Sequence, residues 1–274
     1  MKVSVPASSA NLGPGFDCLG VALGLRAEIG IVDGGIPDRA EVAKGSHPAR
    51  IAFHEWGGRG DVWVRSPIPS GRGLGFSGAV RVGAIALALR QQGHDGCLDQ
   101  TRSEVFEAAA RLEGHGDNVA ASTYGGFVVV ADRTVAPIPT PLEPTIVVWV
   151  PGQRTSTDQS RSSLPASVSR DDSVFNIART GLLVAALAGG RVDLLREATR
   201  DRIHQDVRLA KVPRSAEALR TFLDAGAWCS WLSGSGPTVA AMCAAHEVDS
   251  LSARLPEGRV LALTVDRVGA TWED

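Results

Sequence analysis

The chain has 274 residues, 44% of them hydrophobic and 21% charged, which excludes a disordered or fibrous protein. Its 28 basic residues are offset by 30 acidic ones for a net charge of −2, so it lacks the basic excess that a dedicated nucleic-acid binder needs. The length suffices for one large domain or two small ones with a real core.

Residues 3–5 predict a short strand ending at Pro6, and residues 7–17, crowded with small residues, Gly13, Pro14 and Gly15, predict a loop. Branched apolar residues over 18–32 predict one or two strands, followed by a polar connection over 33–48. Alternation predicts short strands at 51–54 and 61–65. A Pro/Gly loop at 66–75 runs into a helix of small apolar residues over 79–90. A second helix is expected over 101–113, with Ser103 as a tolerated cap and early acids that suit the helix dipole. Strands follow at 125–131 and 145–150, and Pro137, Pro139, Pro141 and Pro144 between them mark a domain boundary, dividing the chain into 1–143 and 144–274. Helices are expected over 172–188 and 192–199, broken at Gly189 and Gly190, and again over 215–225. Strands at 227–232 and 238–242 flank a glycine turn, and a helix over 247–254 precedes a closing strand at 259–265. The mixture points to an α+β protein in two halves.

No apolar run reaches the length of a membrane span, and the segment after Met1 and Lys2 lacks the apolar stretch of a signal peptide. Cys18, Cys97, Cys229 and Cys243 have no metal-ligand spacing. These features give the expectation of a cytoplasmic protein without a membrane or nucleic-acid partner.

Three glycine loops carry the chemistry. In the second, Pro69, Ser70, Gly71, Arg72, Gly73, Leu74, Gly75, Phe76 and Ser77 lead directly into a helix, the arrangement of an anion site. Gly73, Gly75 and Gly78 fit the spacing of a dinucleotide fingerprint, but Ser66-Pro67-Ile68-Pro69 is not the apolar strand that such a unit needs. A Walker loop is excluded because its lysine is missing: the chain's three lysines are Lys2, Lys44 and Lys211. Main-chain amides, the helix dipole and a magnesium ion would have to supply the positive charge. The other loops, 11–17 and 232–238, are each ordinary turns when taken alone.

Together and in this order, the three loops resemble the signature motifs of the GHMP small-molecule kinases, and most of all those of the homoserine kinase family. Residues 5–17 (Val-Pro-Ala-Ser-Ser-Ala-Asn-Leu-Gly-Pro-Gly-Phe-Asp) are similar to that family's opening block, and 71–77 to its phosphate loop. Residues 113–120, 172–176 and 204–208 resemble three further blocks, so the likeness spans nearly the whole chain and is weakest over 33–60. Gly116 stands where proline is usual, Phe76 where serine is usual and Gly78 where alanine is usual.

The resemblance implies a fold with a ribosomal S5 domain 2-like N-terminal half and a ferredoxin-like C-terminal half. It implies ATP-dependent phosphorylation of the hydroxyl of L-homoserine, a step of threonine biosynthesis, with Mg2+. The alternatives are a sister GHMP kinase or, because of Phe76, a non-catalytic binding protein of this fold. Homodimers are common in the family, and the resemblance allows one here.

The implied nucleotide cradle is Pro69 to Ser77, with adenine contacts from residues 50–67. The implied magnesium ligands are Ser77 and Glu107, with Glu113 as the rival carboxylate. Arg161 and Arg208 would hold the substrate carboxylate, since a planar guanidinium gives bidentate charge-assisted bonds. Asp17 would meet the ammonium and Asn11 the hydroxyl, with Thr157 in the same neighbourhood. Asn11, Asp117 and Asn118 form the implied catalytic group. No strong general base emerges, because Asn118 occupies the place where many GHMP kinases have aspartate. His115 and His204 are assigned to packing and loop geometry.

Overall fold

The computed structural model describes residues 1–94, 98–155 and 157–273, without the side chains of Thr157 and Asp158. Cys97 and the Thr157 side chain therefore lie outside what is described, and Cys18, Cys229 and Cys243 are free thiols.

The first sheet is built on β1 (Lys2–Ala10) and β2 (Leu19–Ile31). β1 does not stop at Pro6, as expected, but pairs with β2 as far as Ala10 opposite Gly20. The ladder shifts register between Pro6 and Ala7, which places the residue without an N–H at a bulge. Ala7, Ser8, Ser9 and Ala10 are all buried, so these small residues are core and not loop.

β3 (Glu41–Val42) precedes α1 (Pro48–Glu55), where a strand had been expected over 51–54. His47 caps this helix and Pro48 opens it. Ala49, Ala52 and Phe53 bury one face at helical spacing, a pattern that a four-residue window reads as alternation. β4 (Val62–Arg65) pairs with β2 and β3. α2 (Phe76–Gln91), α3 (Arg102–Glu113) and α4 (Asp117–Tyr124) follow. α2 packs on β1 and β2, and α4 on β1, β2 and β5 (Phe127–Ala131). β6 (Thr134–Ile138), absent from the sequence reading, pairs among the described residues with β5 alone, so Pro137 sits on an edge strand that tolerates it.

Beyond β7 (Thr145–Val150) the chain runs through α5 (Thr157–Ser162), α6 (Arg170–Ala188), α7 (Val192–Ala198), α8 (Gln205–Leu209) and α9 (Pro213–Asp224). It closes with β8 (Cys229–Leu232), β9 (Val239–Cys243), α10 (Val248–Ser252), β10 (Arg259–Leu263) and β11 (Thr271–Glu273). The second sheet has the order β10–β7–β9–β8, all antiparallel. Helices intervene after β7 and after β9, and β8–β9 is a hairpin. That is a ferredoxin-like split unit, its strands in the order fourth, first, third, second. β11 leaves this sheet and pairs with β1, extending the first one.

β7 shows how the layers meet. Ile146, Val148 and Val150 enter the large core shared with the first sheet, while Val147 and Trp149 face a second cluster around Phe222 under α9. Trp231 on β8 is fully buried in the shared core, and its Nε1 donates to Ser9 Oγ at 2.9 Å. Trp231→Phe removes that donor and leaves a gap. It is expected to cost about 1–3 kcal/mol, read as a lower urea midpoint with an unchanged slope.

Candidate functional site

A cleft of about 630 Å³ lies where the three glycine loops meet. Gly71, Gly73 and Gly75 have φ of 68°, 77° and 67°, a region that side chains penalise. Space forbids a side chain as well: a Cβ on Gly73 would stand 2.2 Å from the Ser233 carbonyl oxygen, and one on Gly75 2.1 Å from Ser8 Oγ. Ser233 Oγ donates to the Gly73 carbonyl at 2.6 Å, so the third loop clasps the second. Gly75 caps α2 with no side-chain bond, which leaves the first-turn amides of a 16-residue helix facing the cleft as an anion cradle.

Asn11, at φ 71°, donates through Nδ2 to the Gly234 carbonyl at 3.0 Å and accepts at Oδ1 from the Asp17 amide at 3.1 Å. Its amide thus ties the first loop to the third. Asp117 is buried; its Oδ1 accepts from the Asn118 amide at 2.8 Å and lies 2.9 Å from His115 Nδ1. Asn118 Oδ1 accepts from Ser8 Oγ at 3.0 Å. All three residues line the cleft.

The expected pairing of Ser77 with Glu107 is corrected. Ser77 Oγ donates to Glu113 Oε2 at 2.9 Å, and Arg81 forms an ion pair with the same oxygen. Glu107 instead faces Arg133 at 3.5 Å and lines a separate cavity beside Trp56 and Phe106. Helix geometry supplies the reason: six residues along α3 rotate a side chain by roughly 240° and set it back ~9 Å. Glu113, the last residue of α3, reaches the start of α2.

In the same cleft, Arg161 grips Asp17 with both terminal nitrogens, at 2.7 and 2.8 Å. The two were expected to hold opposite ends of a ligand; here they hold each other. Arg208 is 5% exposed and donates through Nη1 to Gly234 O at 3.1 Å. Burial, then the neighbouring Arg161, lowers its pKa from the ordinary value, against the pull of Asp17, Asp201 and Asp117. Both guanidinium groups lie over the Phe16 ring, at 5.5 and 5.2 Å from its centre. The Cys18 thiol is pushed up to about 11 by burial, Asp117 and Asp17, so it is no thiolate nucleophile.

The GHMP kinases N terminal domain matches residues 43–126 and the GHMP kinases C terminal domain residues 183–258. A homoserine kinase of Desulfitobacterium hafniense is 38% identical over 98% of this chain and 99% of its own length. One of Thermus thermophilus is 40% identical over the whole chain and 98% of its own length. The chain belongs to the homoserine kinase family of GHMP kinases. The crystal structure of homoserine kinase from Cytophaga hutchinsonii superposes with a TM-score of 0.82 at 25% identity, covering 99% of this chain and 96% of that one. Methanococcus jannaschii mevalonate kinase, 13% identical with a TM-score of 0.68 over 97% of this chain and 98% of its own, shares the fold.

Phe76 and the segment ahead of α1 also shape the cleft. Phe76 opens α2, packs in part against the large core and meets His47 edge-on at 6.0 Å between ring centres. The ring thus leaves the main-chain cradle in place. Lys44, Ser46 and His47, just ahead of α1, line the cleft, whereas no residue of 50–67 does. The segment was read as a plain polar connection, and its one signal was a lysine and a histidine in a chain poor in both.

Proposed function

We propose that this protein transfers the γ-phosphoryl group of ATP to the hydroxyl of L-homoserine, yielding O-phospho-L-homoserine and ADP. The observation that carries this reading is one cleft lined both by a lysine-free amide cradle, Gly71 to Ser77, and by Arg161, Arg208 and Asp17. The cradle suits the phosphates and the charged cluster suits a zwitterion.

Ser77 and Glu113 fit a magnesium ion, since they bring one hydroxyl and one carboxylate, both hard oxygen donors, together at 2.9 Å beside the cradle. The ion supplies charge to the triphosphate when bound. Asn11 and Asn118 place the hydroxyl, and Asp117, held by His115 and the Asn118 amide, keeps that corner rigid. Transfer forms the bond from the hydroxyl oxygen to phosphorus as the bond to the bridging oxygen breaks, the hydroxyl proton passes to an oxygen of the transferred phosphoryl group, and ADP leaves. The chain contributes placement and charge more than a base.

Zwitterion entry splits the Arg161–Asp17 pair, the carboxylate taking Arg161 and the ammonium taking Asp17. Arg161→Ala is therefore expected to raise KM for homoserine ~10–100-fold with little change in KM for ATP. The reading is tested by ADP release over a panel of homoserine, serine, threonine and mevalonate. Turnover with mevalonate and none with homoserine would transfer the assignment to a sister kinase.

A further inference from the structure

One buried side chain at the amino-acid end of the cleft has no part in the reaction described so far. His204 is 1% exposed, stands just ahead of α8 and bridges two elements of the site. Its Nε2 lies 2.8 Å from the Gly13 carbonyl, in the first glycine loop. Its Nδ1 lies 3.2 Å from Nη1 of Arg208, one helical turn further on.

The partners dictate the tautomer. A guanidinium has only donors, so Nδ1 must accept from Arg208. The ring proton is then on Nε2, which donates to Gly13. Only the neutral ring makes both bonds, since a proton on Nδ1 would face the arginine N–H.

We propose that His204 is the positioning residue for Arg208, locking the guanidinium in the attitude that presents it to the substrate carboxylate. This rests on the reading of the protein as a homoserine kinase. With Nη1 committed to His204 and Gly234, the Nε of Arg208 is buried and has no protein partner among the described residues. That unspent donor is what a ligand carboxylate would engage. Phe16 closes the other side, its ring 5.1 Å from that of His204 and beneath Arg208.

The charged groups facing the histidine are Arg208, Asp201 and Asp17. Asp201 stands 3.9 Å from Nε2, but its carboxylate already accepts from the amides of His204 and Gln205 and from Asn176. Burial lowers the histidine below its ordinary 6.5; Asp201 raises it, Arg208 lowers it, and the Gly13 bond and Asp17 raise it. The ring is therefore neutral at and above neutral pH. Protonation comes only as pH falls through the lowered value, and it expels the guanidinium.

Steady-state kinetics with ATP and L-homoserine test this. The parent enzyme is measured first, and failure to turn over homoserine would sink the underlying reading without bearing on His204. His204→Gln keeps the donor to Gly13 and loses the acceptor for Arg208, whereas His204→Asn keeps an acceptor near the Nδ1 position. Glutamine is expected to raise KM for homoserine by about tenfold or more, with kcat and KM for ATP within about twofold, and asparagine to restore much of the loss. Parent KM for homoserine should also rise as pH falls below the ordinary 6.5 of the histidine, and the rise should vanish in His204→Asn. A glutamine variant with unchanged KM for homoserine, or one whose two KM values move together, overturns the proposal. If glutamine prevents folding, His204→Ala is measured in its place, and an unchanged KM for homoserine there overturns the proposal as well.

Discussion

Glu113→Gln is expected to lower kcat/KM with magnesium and ATP by about two orders of magnitude, while Glu107→Gln stays within about twofold of the parent. The two glutamates lie on one helix, and sequence resemblance favours Glu107. Geometry separates them: Glu113 shares a hydrogen bond with Ser77 at the mouth of the cradle, and Glu107 faces Arg133 away from it. The amide keeps the shape of the side chain and removes its charge, so a cation held by Ser77 and residue 113 loses its anionic ligand. Arg81 loses a countercharge as well. Its side chain and that of Glu113 are 18% and 14% exposed, so partial solvation limits the stability loss to about 1–3 kcal/mol. Initial rates over a magnesium titration are the measurement, and the Glu113 variant should need much more magnesium for half-maximal rate. A large loss at Glu107 with none at Glu113 would sink the assignment.

Gly73→Ala is expected to weaken nucleotide binding by about 100-fold, because it acts on the cradle in two ways. Its φ of 77° costs an alanine about 1–2 kcal/mol. The new methyl would also lie 2.2 Å from the Ser233 carbonyl, a main-chain atom that cannot swing aside. The second loop must then part from the third and break the Ser233 bond to the Gly73 carbonyl. Gly226→Ala separates the two contributions. Its φ is 102°, yet nothing lies within 4 Å of the added methyl. That variant should lose roughly 1 kcal/mol of stability and bind nucleotide like the parent. Titration with ATP and thermal melts of both variants provide the comparison, and equal nucleotide affinity in the two would refute the cradle.

The long periodic elements were readable, as the first and second expected helices show. α2 and α3 lie within a few residues of their expected limits because apolar spacing and flanking turns agree there. Short elements were not. The helix at 48–55 and the strand at 51–54 compete for the same few apolar residues, and only the capping His47 and opening Pro48 decide between them. β11 offers three residues and pairs with a strand at the opposite end of the sequence, a contact no local pattern encodes. At the site, motif order brought Asn11, Asp17, Arg161 and Arg208 to one cleft. What it missed depends on rotation about a helix axis, as with Glu107 and Glu113, or on a segment without a motif, as with Lys44 and His47.

The pairing of β11 with β1 also bears on how the protein reaches its native state. Val3 finds its partner Trp272 roughly 270 residues away, so β1 pairs with β2 early and keeps one flank bare until the far end of the polypeptide returns. A bare flank is a template for pairing with another molecule. The brief interval before that strand arrives is thus when this chain is most prone to self-association, and shielding of nascent chains by a chaperone would matter most there.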